Sequence, residues 1–353
     1  MARNVTALWI SDAARVDDVV DRIRLVGTDT FGPFLIGART VVLVVDADDG
    51  ALAAMPGIAV VERDVGPWPL ASRALSDESV VHIGGVTFGG ANVAVIAGPC
   101  AVEDSDQASR VALAVCAAGA VALRGGAYKP RTSPYAHQGL GRAGLSLLAG
   151  ARALTGLPVI TEVLDPRDVA VVSDVADALQ IGARNMQNTA LLREAGRSGR
   201  PVLLKRSFGA TAAELLHAAE YVLSAGGVGV VLCERGIRTF EPGARFTLDI
   251  GAVAWLKARS RLPVLVDPSH AAGTSELVVP LALAGLAAGA DGLIVEVHDA
   301  PDDAISDGDQ ALSPAAFADL MRRASALCAS LGRRLCTPHT TTQPAAALQG
   351  AAA

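Results

Sequence analysis

The 353-residue sequence predicts an α/β protein, a closed (β/α)8 TIM barrel preceded by a small α+β domain. Three observations carry this. Apolar runs of strand length recur eight times after residue 92, with little polar alternation, as strands buried on both faces of a parallel sheet require. Each run is followed by a stretch of helical periodicity, and eight such units over about 240 residues count out a barrel. Aromatic residues are only 4% of a chain that is 51% hydrophobic, so Ala, Val, Leu and Ile must build the core, as tightly packed helix–strand layers allow. A doubly wound open sheet would also alternate strands and helices, but it rarely needs eight evenly spaced units.

Residues 1–66 read as strand, helix, two strands, helix and strand, at 5–10, 15–25, 34–36, 40–45, 51–55 and 58–61, with Gly37 near the turn. That βαββαβ order suggests a ferredoxin-like module. Residues 67–91 connect it to the barrel: a linker marked by Pro67 and Pro69, then a hairpin around Gly84-Gly85. The barrel occupies 92–332, with strands at 93–97, 120–123, 158–163, 178–181, 201–204, 229–233, 263–266 and 292–295. Its helices fall at 105–118, 143–154, 166–175, 189–196, 212–224, 248–258, 275–288 and 314–331. The low-complexity stretch 333–353 reads as a disordered tail.

Composition excludes several functions. A net charge of −6 argues against general nucleic-acid binding. The longest apolar stretch, 277–290, contains Pro280 and falls short of the ~18 residues a membrane span needs. Five scattered cysteines without CxxC spacing, and no targeting segment, fit a reducing cytoplasm better than secretion. No GxGxxG opens a helix after a strand, so no dinucleotide fingerprint is present.

Barrel enzymes place their active sites at the C-terminal ends of the strands. Nearly every apolar run here ends in a charged or coordinating residue. Eight are cations: Arg124, Lys129, Arg131, Arg184, Lys205, Arg206, Arg235 and Arg238. An acidic chain that gathers them at one mouth is equipped for multiply charged anions, because Arg grips phosphate and carboxylate with a fork and Lys adds a point charge. Cys100, His270, Glu296 and Asp307 follow strands one, seven and eight, which neighbour one another in a closed barrel. One thiol, one imidazole and two carboxylates suit a divalent metal ion such as Mn, Fe, Co or Zn. Taken singly, each has a blander reading: a Cys after a strand is usually a small buried apolar group, and a lone His is more often hydrogen-bonded than ligating. Glu162 and Asp267 end strands three and seven.

Seven loop sequences together carry a resemblance: AlaGlyProCys at 97–100, LysProArgThrSerPro at 129–134, GlnIleGlyAlaArgAsnMetGln at 180–187, LeuLeuLysArg at 203–206, CysGluArgGlyIleArgThrPhe at 233–240, AspProSerHis at 267–270 and SerAspGlyAspGln at 306–310. In this order they resemble the 3-deoxy-7-phosphoheptulonate (DAHP) synthases, in the branch with an N-terminal ferredoxin-like domain. The resemblance implies condensation of phosphoenolpyruvate with D-erythrose 4-phosphate, the first step of the shikimate pathway. It implies metal ligands Cys100, His270, Glu296 and Asp307. Arg124, Lys129, Arg184, Lys205 and Arg235 would surround phosphoenolpyruvate, while Arg131 and Thr132 would face the aldose phosphate. Lys129, Glu162 and Asp267 would form the catalytic set, with Lys129 delivering a proton and Glu162 orienting water. Feedback by an aromatic amino acid effector and a homo-oligomer are implied as well. Two alternatives stay open: a 3-deoxyoctulosonate 8-phosphate synthase, which typically carries Asn-Arg where this chain has Pro130-Arg131, and a barrel that senses sugar phosphate without turnover. His137 departs from the pattern, standing where an apolar residue is expected.

Overall fold

The computed structural model describes residues 4–11, 15–25, 27–47, 49–77, 79–131 and 133–338. The N-terminal unit runs β1 (Val5–Ile10), α1 (Val16–Leu25), β2 (Asp29–Ile36), β3 (Arg39–Val45), α2 (Asp49–Ala53) and β4 (Ile58–Glu62). Its antiparallel sheet has the order β2-β3-β1-β4. Alternation along β1 and β3 splits the side chains between two faces. Leu8, Ile10, Val42 and Val44 pack with Val16, Val19, Val20 and Ile23 of α1. Ala7, Trp9, Val41 and Leu43 face the other way and join Val65, Leu70 and Leu75 in the apolar cluster continuous with the barrel. The small domain is therefore seated on the barrel rather than hung from it. The connecting segment is anchored too: Trp68 meets His217 and Trp255 edge-on, with ring centroids 5.4 and 6.0 Å away.

The hairpin β5 (Val81–Ile83) and β6 (Val86–Phe88) leads into eight parallel barrel strands. These are β7 (Asn92–Gly98), β8 (Ala122–Arg124), β9 (Val159–Glu162), β10 (Ala178–Ile181), β11 (Val202–Lys205), β12 (Val230–Glu234), β13 (Val264–Val266) and β14 (Gly292–Glu296). Pairing of β14 with β7 closes the ring. Around it lie α3 (Ser105–Ala117), α4 (Arg142–Thr155), α5 (Val169–Ser173), α6 (Thr189–Arg197), α7 (Ala212–Ser224), α8 (Ile250–Arg259), α10 (Ser275–Ala287) and α11 (Pro314–Ser330), with a short α9 (Pro268–Ala272) inserted after β13. Side-chain caps set several starts: Asp104 accepts from Gln107 N, Asn188 from Leu191 N, and Thr211 forms a capping box with Glu214.

Three expectations change here. The helix expected at 166–175 divides into a 3-10 turn, Pro166–Asp168, and α5, because Asp165 caps the turn and Pro166 opens it. The helix α9 was not foreseen, being a single turn inside the AspProSerHis loop. Residues 334–335, expected within a disordered tail, instead form a final strand, β15 (Arg334–Leu335), paired with Asn92 and Val93. Residues 339–353 lie outside the described residues.

The hairpin closes the end of the barrel opposite the strand C-termini. Val81, Ile83, Val86 and Phe88 pack against Ala94, Ile96, Ile160, Ala178, Leu203, Val231 and Ile294 from the barrel interior. Phe88 is fully buried, so Phe88→Ala is expected to destabilise the fold by about 3–5 kcal/mol. Urea unfolding checks this; a loss under about 1 kcal/mol would mean that the hairpin does not serve as the barrel floor.

Candidate active site

Strand register brings the four proposed ligands together. Glu296, the last residue of β14, pairs with Gly98 of β7, two residues before Cys100. Gly98 has φ +151°, and a Cβ there would lie 2.1 Å from the Arg124 carbonyl oxygen, so only glycine lets β7 turn this close to β8. His270 comes from α9, and Asp307 from the loop after β14, in the left-handed region at φ 55°. One donor atom from each of Cys100, His270, Glu296 and Asp307 lies within 4.8 Å of the others. Cys100 Sγ sits 3.1 Å from Asp307 Oδ2, 3.3 Å from Ser306 Oγ and 2.9 Å from Lys129 Nζ.

The electrostatics of the cluster suit a cation. Burial pushes the Cys100 thiol up to about 12, Glu296 adds to the rise, and Lys129 opposes it. Burial would raise Glu296 and Asp307 as well. For Glu296 it is outweighed by His270, Arg124 and Lys129, and for Asp307 by the Cys100 thiol, His270 and Lys129, so both carboxyls are held below their usual range. His270 is held below its ordinary value by burial, against the pull of Asp267 and Glu296. Its Nδ1 lies 2.8 Å from Asp267 Oδ2 without hydrogen-bond geometry, and a proton on that nitrogen, facing the carboxylate, would leave the Nε2 lone pair for the cluster. Nε2 is then 3.5 Å from Glu296 Oε1, an atom that accepts no hydrogen bond. The imidazole, two carboxylates and thiol make a donor set that could hold a divalent cation.

Beside the cluster opens a cavity of about 340 Å³, lined among others by Arg124, Lys129, Arg131, Glu162, Arg184, Lys205, Arg235, His270 and Asp307. Arg124 is held by the Pro99 and Cys100 carbonyls and lies 3.1 Å from Glu296, yet its Nη1 is buried without a partner. Lys205 Nζ is 2.5 Å from Asp267 Oδ2. Arg235 Nη1 is likewise buried and unpartnered. Glu162 is bonded by Gln180 Nε2 at 3.2 Å, while its Oε1 has no partner. A Cβ at Gly182 would fall 1.9 Å from that Oε1, so a bare backbone makes room for the carboxylate. Buried guanidinium donors left unsatisfied await an acceptor, since an orphaned buried polar group is destabilising.

Six of the eight predicted cations line this cavity; Arg206 and Arg238 do not. Arg206 points back into the wall, bonded to Glu234 at 2.8 Å, to Asp249 at 2.9 Å and to the Ala210 carbonyl. Alternation explains it, because Arg206 follows Lys205 and adjacent residues of an extended chain face opposite ways. Arg238 is exposed, its guanidinium 4.9 Å from the Phe208 ring. Asp267, expected in the catalytic set, is fully buried behind His270 and Lys205, holds both, and lies outside the cavity lining. Arg245 was missed: it lines the cavity and donates to Gln310 Oε1 at 2.9 Å and Asp307 Oδ1 at 3.4 Å. It follows no apolar run, so the search at strand ends passed over it. Thr132 lies outside the described residues. His137, the departure from the family pattern, offers its carbonyl to Arg131 Nε at 2.9 Å.

A (β/α)8 barrel with a cluster that could hold a metal ion and a cation-lined cavity at its C-terminal mouth suits an enzyme acting on anionic substrates. A family model described as the DAHP synthetase I family matches residues 74–328. The chain belongs to this family and is an enzyme of the DAHP synthase class, whose members are generally metal-dependent. It is 45% identical over 299 residues to the phospho-2-dehydro-3-deoxyheptonate aldolase of Thermotoga maritima, covering 83% of this chain and 88% of the relative. The crystal structure of a Thermotoga maritima protein of that name, also titled DAHP synthase, superposes with a TM-score of 0.76 at 39% identity, over 95% of this chain and 100% of that one. A truncated form of the Thermotoga maritima synthase superposes with a TM-score of 0.72 at 43% identity, over 77% of this chain and 100% of that one. Similarity to the 2-dehydro-3-deoxyphosphooctonate aldolase of Syntrophotalea carbinolica is lower, 34% over 251 residues, or 66% of this chain and 90% of that relative. Among the described residues no helix is long and apolar enough to cross a membrane.

Proposed function

We propose that this site joins phosphoenolpyruvate to erythrose 4-phosphate, with water, giving 3-deoxy-D-arabino-heptulosonate 7-phosphate and inorganic phosphate. The observation that carries the reading is the pair of buried, unpartnered guanidinium atoms, Arg124 Nη1 and Arg235 Nη1, beside the four-ligand cluster. Arg124, Arg184, Lys205 and Arg235 bind the phosphate and carboxylate of phosphoenolpyruvate. Arg131 and Thr132 take the aldose phosphate. Together the cations offset repulsion between two anionic substrates and hold them in register. A divalent Mn, Fe, Co or Zn ion held by Cys100, His270, Glu296 and Asp307 would polarise the aldehyde as a Lewis acid.

Carbon 3 of phosphoenolpyruvate attacks the aldehyde carbon, water adds at carbon 2, and phosphate leaves with cleavage of its C–O bond. Lys129 Nζ donates to the Cys100 carbonyl oxygen and to Sγ, both at 2.9 Å, which leaves its third N–H to protonate the new alkoxide. Glu162, whose Oε1 is unpartnered within the cavity wall, orients the water. Asp267 works one step back, fixing the His270 tautomer and the Lys205 position. The test is phosphate release by chelator-treated, metal-restored enzyme given phosphoenolpyruvate with either erythrose 4-phosphate or arabinose 5-phosphate. Faster turnover of the five-carbon aldose phosphate would assign the octulosonate reaction instead. No release with either would leave a sensing barrel.

No described residue of the N-terminal domain lines this cavity, and we assign the domain a regulatory role with an aromatic amino acid as effector. A regulator acts by binding two conformations of the enzyme unequally. Deleting residues 1–66 is therefore expected to keep measurable synthase activity while abolishing inhibition by tyrosine or phenylalanine. An intact enzyme indifferent to tyrosine, phenylalanine and tryptophan at millimolar concentration would rule the role out.

A further inference from the structure

Arg235 is 5% exposed, lines the cavity, and has an Nη1 atom without a partner. Among the described residues no carboxylate lies within ion-pair distance of its guanidinium, in contrast to Arg124, Lys205 and Arg206 nearby. Burial works against its charge and holds its pKa below the ordinary arginine value, with Asp267 opposing from a distance. What it does touch is an aromatic face: its Cζ lies 4.4 Å from the centroid of Phe246. That ring is stacked on Phe208, with centroids 5.5 Å apart and planes 25° from parallel. The backbone beneath it is tied down, since Phe246 N donates to the Ala271 carbonyl at 2.9 Å and Arg245 N to the Ala272 carbonyl at 3.1 Å. Both carbonyls belong to α9, the helix that carries His270. Thr247, next in sequence, bridges back to Ile237, two residues past Arg235.

We infer that Phe246 is a positioning residue for the substrate's anionic group, holding the Arg235 guanidinium by its ring face so that the N–H donors stay free for the ligand. The chemistry favours a ring over an acid at this place. A carboxylate would accept the donors and neutralise the charge that the anion needs. A π face attracts the cation through its quadrupole and accepts no in-plane N–H. An arginine side chain also carries about 2 kcal/mol of rotamer entropy, so a group that orients it beforehand strengthens binding without touching the ligand. The inference deepens the proposed function and rests on Arg235 facing phosphoenolpyruvate.

The test compares Phe246→Met, which keeps bulk without a ring, with Phe246→Tyr, which keeps the ring; Phe246→Leu replaces the Met variant if that does not fold. Phe246→Met is expected to raise the KM for phosphoenolpyruvate about tenfold with kcat changed by no more than about twofold, and Phe246→Tyr to stay within about twofold in both. The double variant Phe246→Met/Arg235→Ala should bind phosphoenolpyruvate no more weakly than Arg235→Ala alone. Phe246 also lines the cavity and lies 5.8 Å from the Arg245 guanidinium, so an additive loss would mean the ring acts through Arg245 or on the ligand instead. Equal losses in the Tyr and Met variants, or additive losses in the double variant, would overturn the inference. If Arg235→Ala alone leaves the KM unchanged, it is the assignment of Arg235 to the substrate that fails, and the role of Phe246 fails with it.

Discussion

Cys100→Ala is expected to lower kcat on the order of a thousandfold while the protein remains folded. The thiol is one of four donors within 4.8 Å of one another, and the only soft one. A bound metal ion contributes several kcal/mol of charge stabilisation to a developing alkoxide, and a thousandfold in rate corresponds to about 4 kcal/mol. Losing the sulfur also removes one of the two bonded partners of Lys129 Nζ in this structure. The fold should tolerate the change, because Ala fits where Cys100 packs at the rim of the barrel. Metal content after dialysis, measured beside kcat, makes the test: the variant should lose both together. A Cys100→Ala enzyme that is stripped by chelator, reloaded, and turns over at the wild-type rate would remove Cys100 from the ligand set.

Asp267→Asn is expected to do two kinds of damage at once. The carboxylate is fully buried and accepts from two donors, Lys205 Nζ at 2.5 Å on Oδ2 and the His270 backbone N–H at 3.0 Å on Oδ1, while His270 Nδ1 stands 2.8 Å from Oδ2. Burial alone would raise its pKa, but His270, Lys205 and Arg124 outweigh this and hold it well below the usual carboxylate range. An amide presents one acceptor oxygen and adds two donors, so it cannot satisfy both Lys205 and His270. Breaking a buried pair from one side typically destabilises by about 3–5 kcal/mol, and losing the group that orients a ligating histidine weakens metal binding about 10–100-fold. Urea unfolding of the protein freed of metal isolates the first effect, and a competitive chelator titration the second. Wild-type metal affinity in a destabilised variant would show that Asp267 serves the fold alone. Unchanged stability would show instead that Lys205 finds another partner.

Much of this protein is written locally. The barrel strands are runs such as ValLeuLeuLys at 202–205 and GlyLeuIleValGlu at 292–296, whose apolar continuity reflects burial on both faces. The active end could be read because barrel topology sends every strand's last residue to the same face, so Cys100, Arg124, Glu162, Lys205 and Glu296 needed only their position after an apolar run. Caps such as Thr211 and Ser313 mark helix starts because the capping residue lies within three residues of the N–H it satisfies.

Tertiary structure decided what depends on groups distant in sequence. Alternation turns Arg206 away from the side Lys205 faces, but that Glu234 and Asp249 stand there to receive it is decided by packing behind β11. Arg245 enters the site because its segment lies along the end of α9, a contact no periodicity announces. The same holds for Trp9, Val41 and Leu43, which alternation marks as a buried face without saying that the barrel covers it. Position along an element is set by the backbone's own period, and is legible. The partner across a gap is set by how whole elements pack, and becomes visible only when the chain is folded.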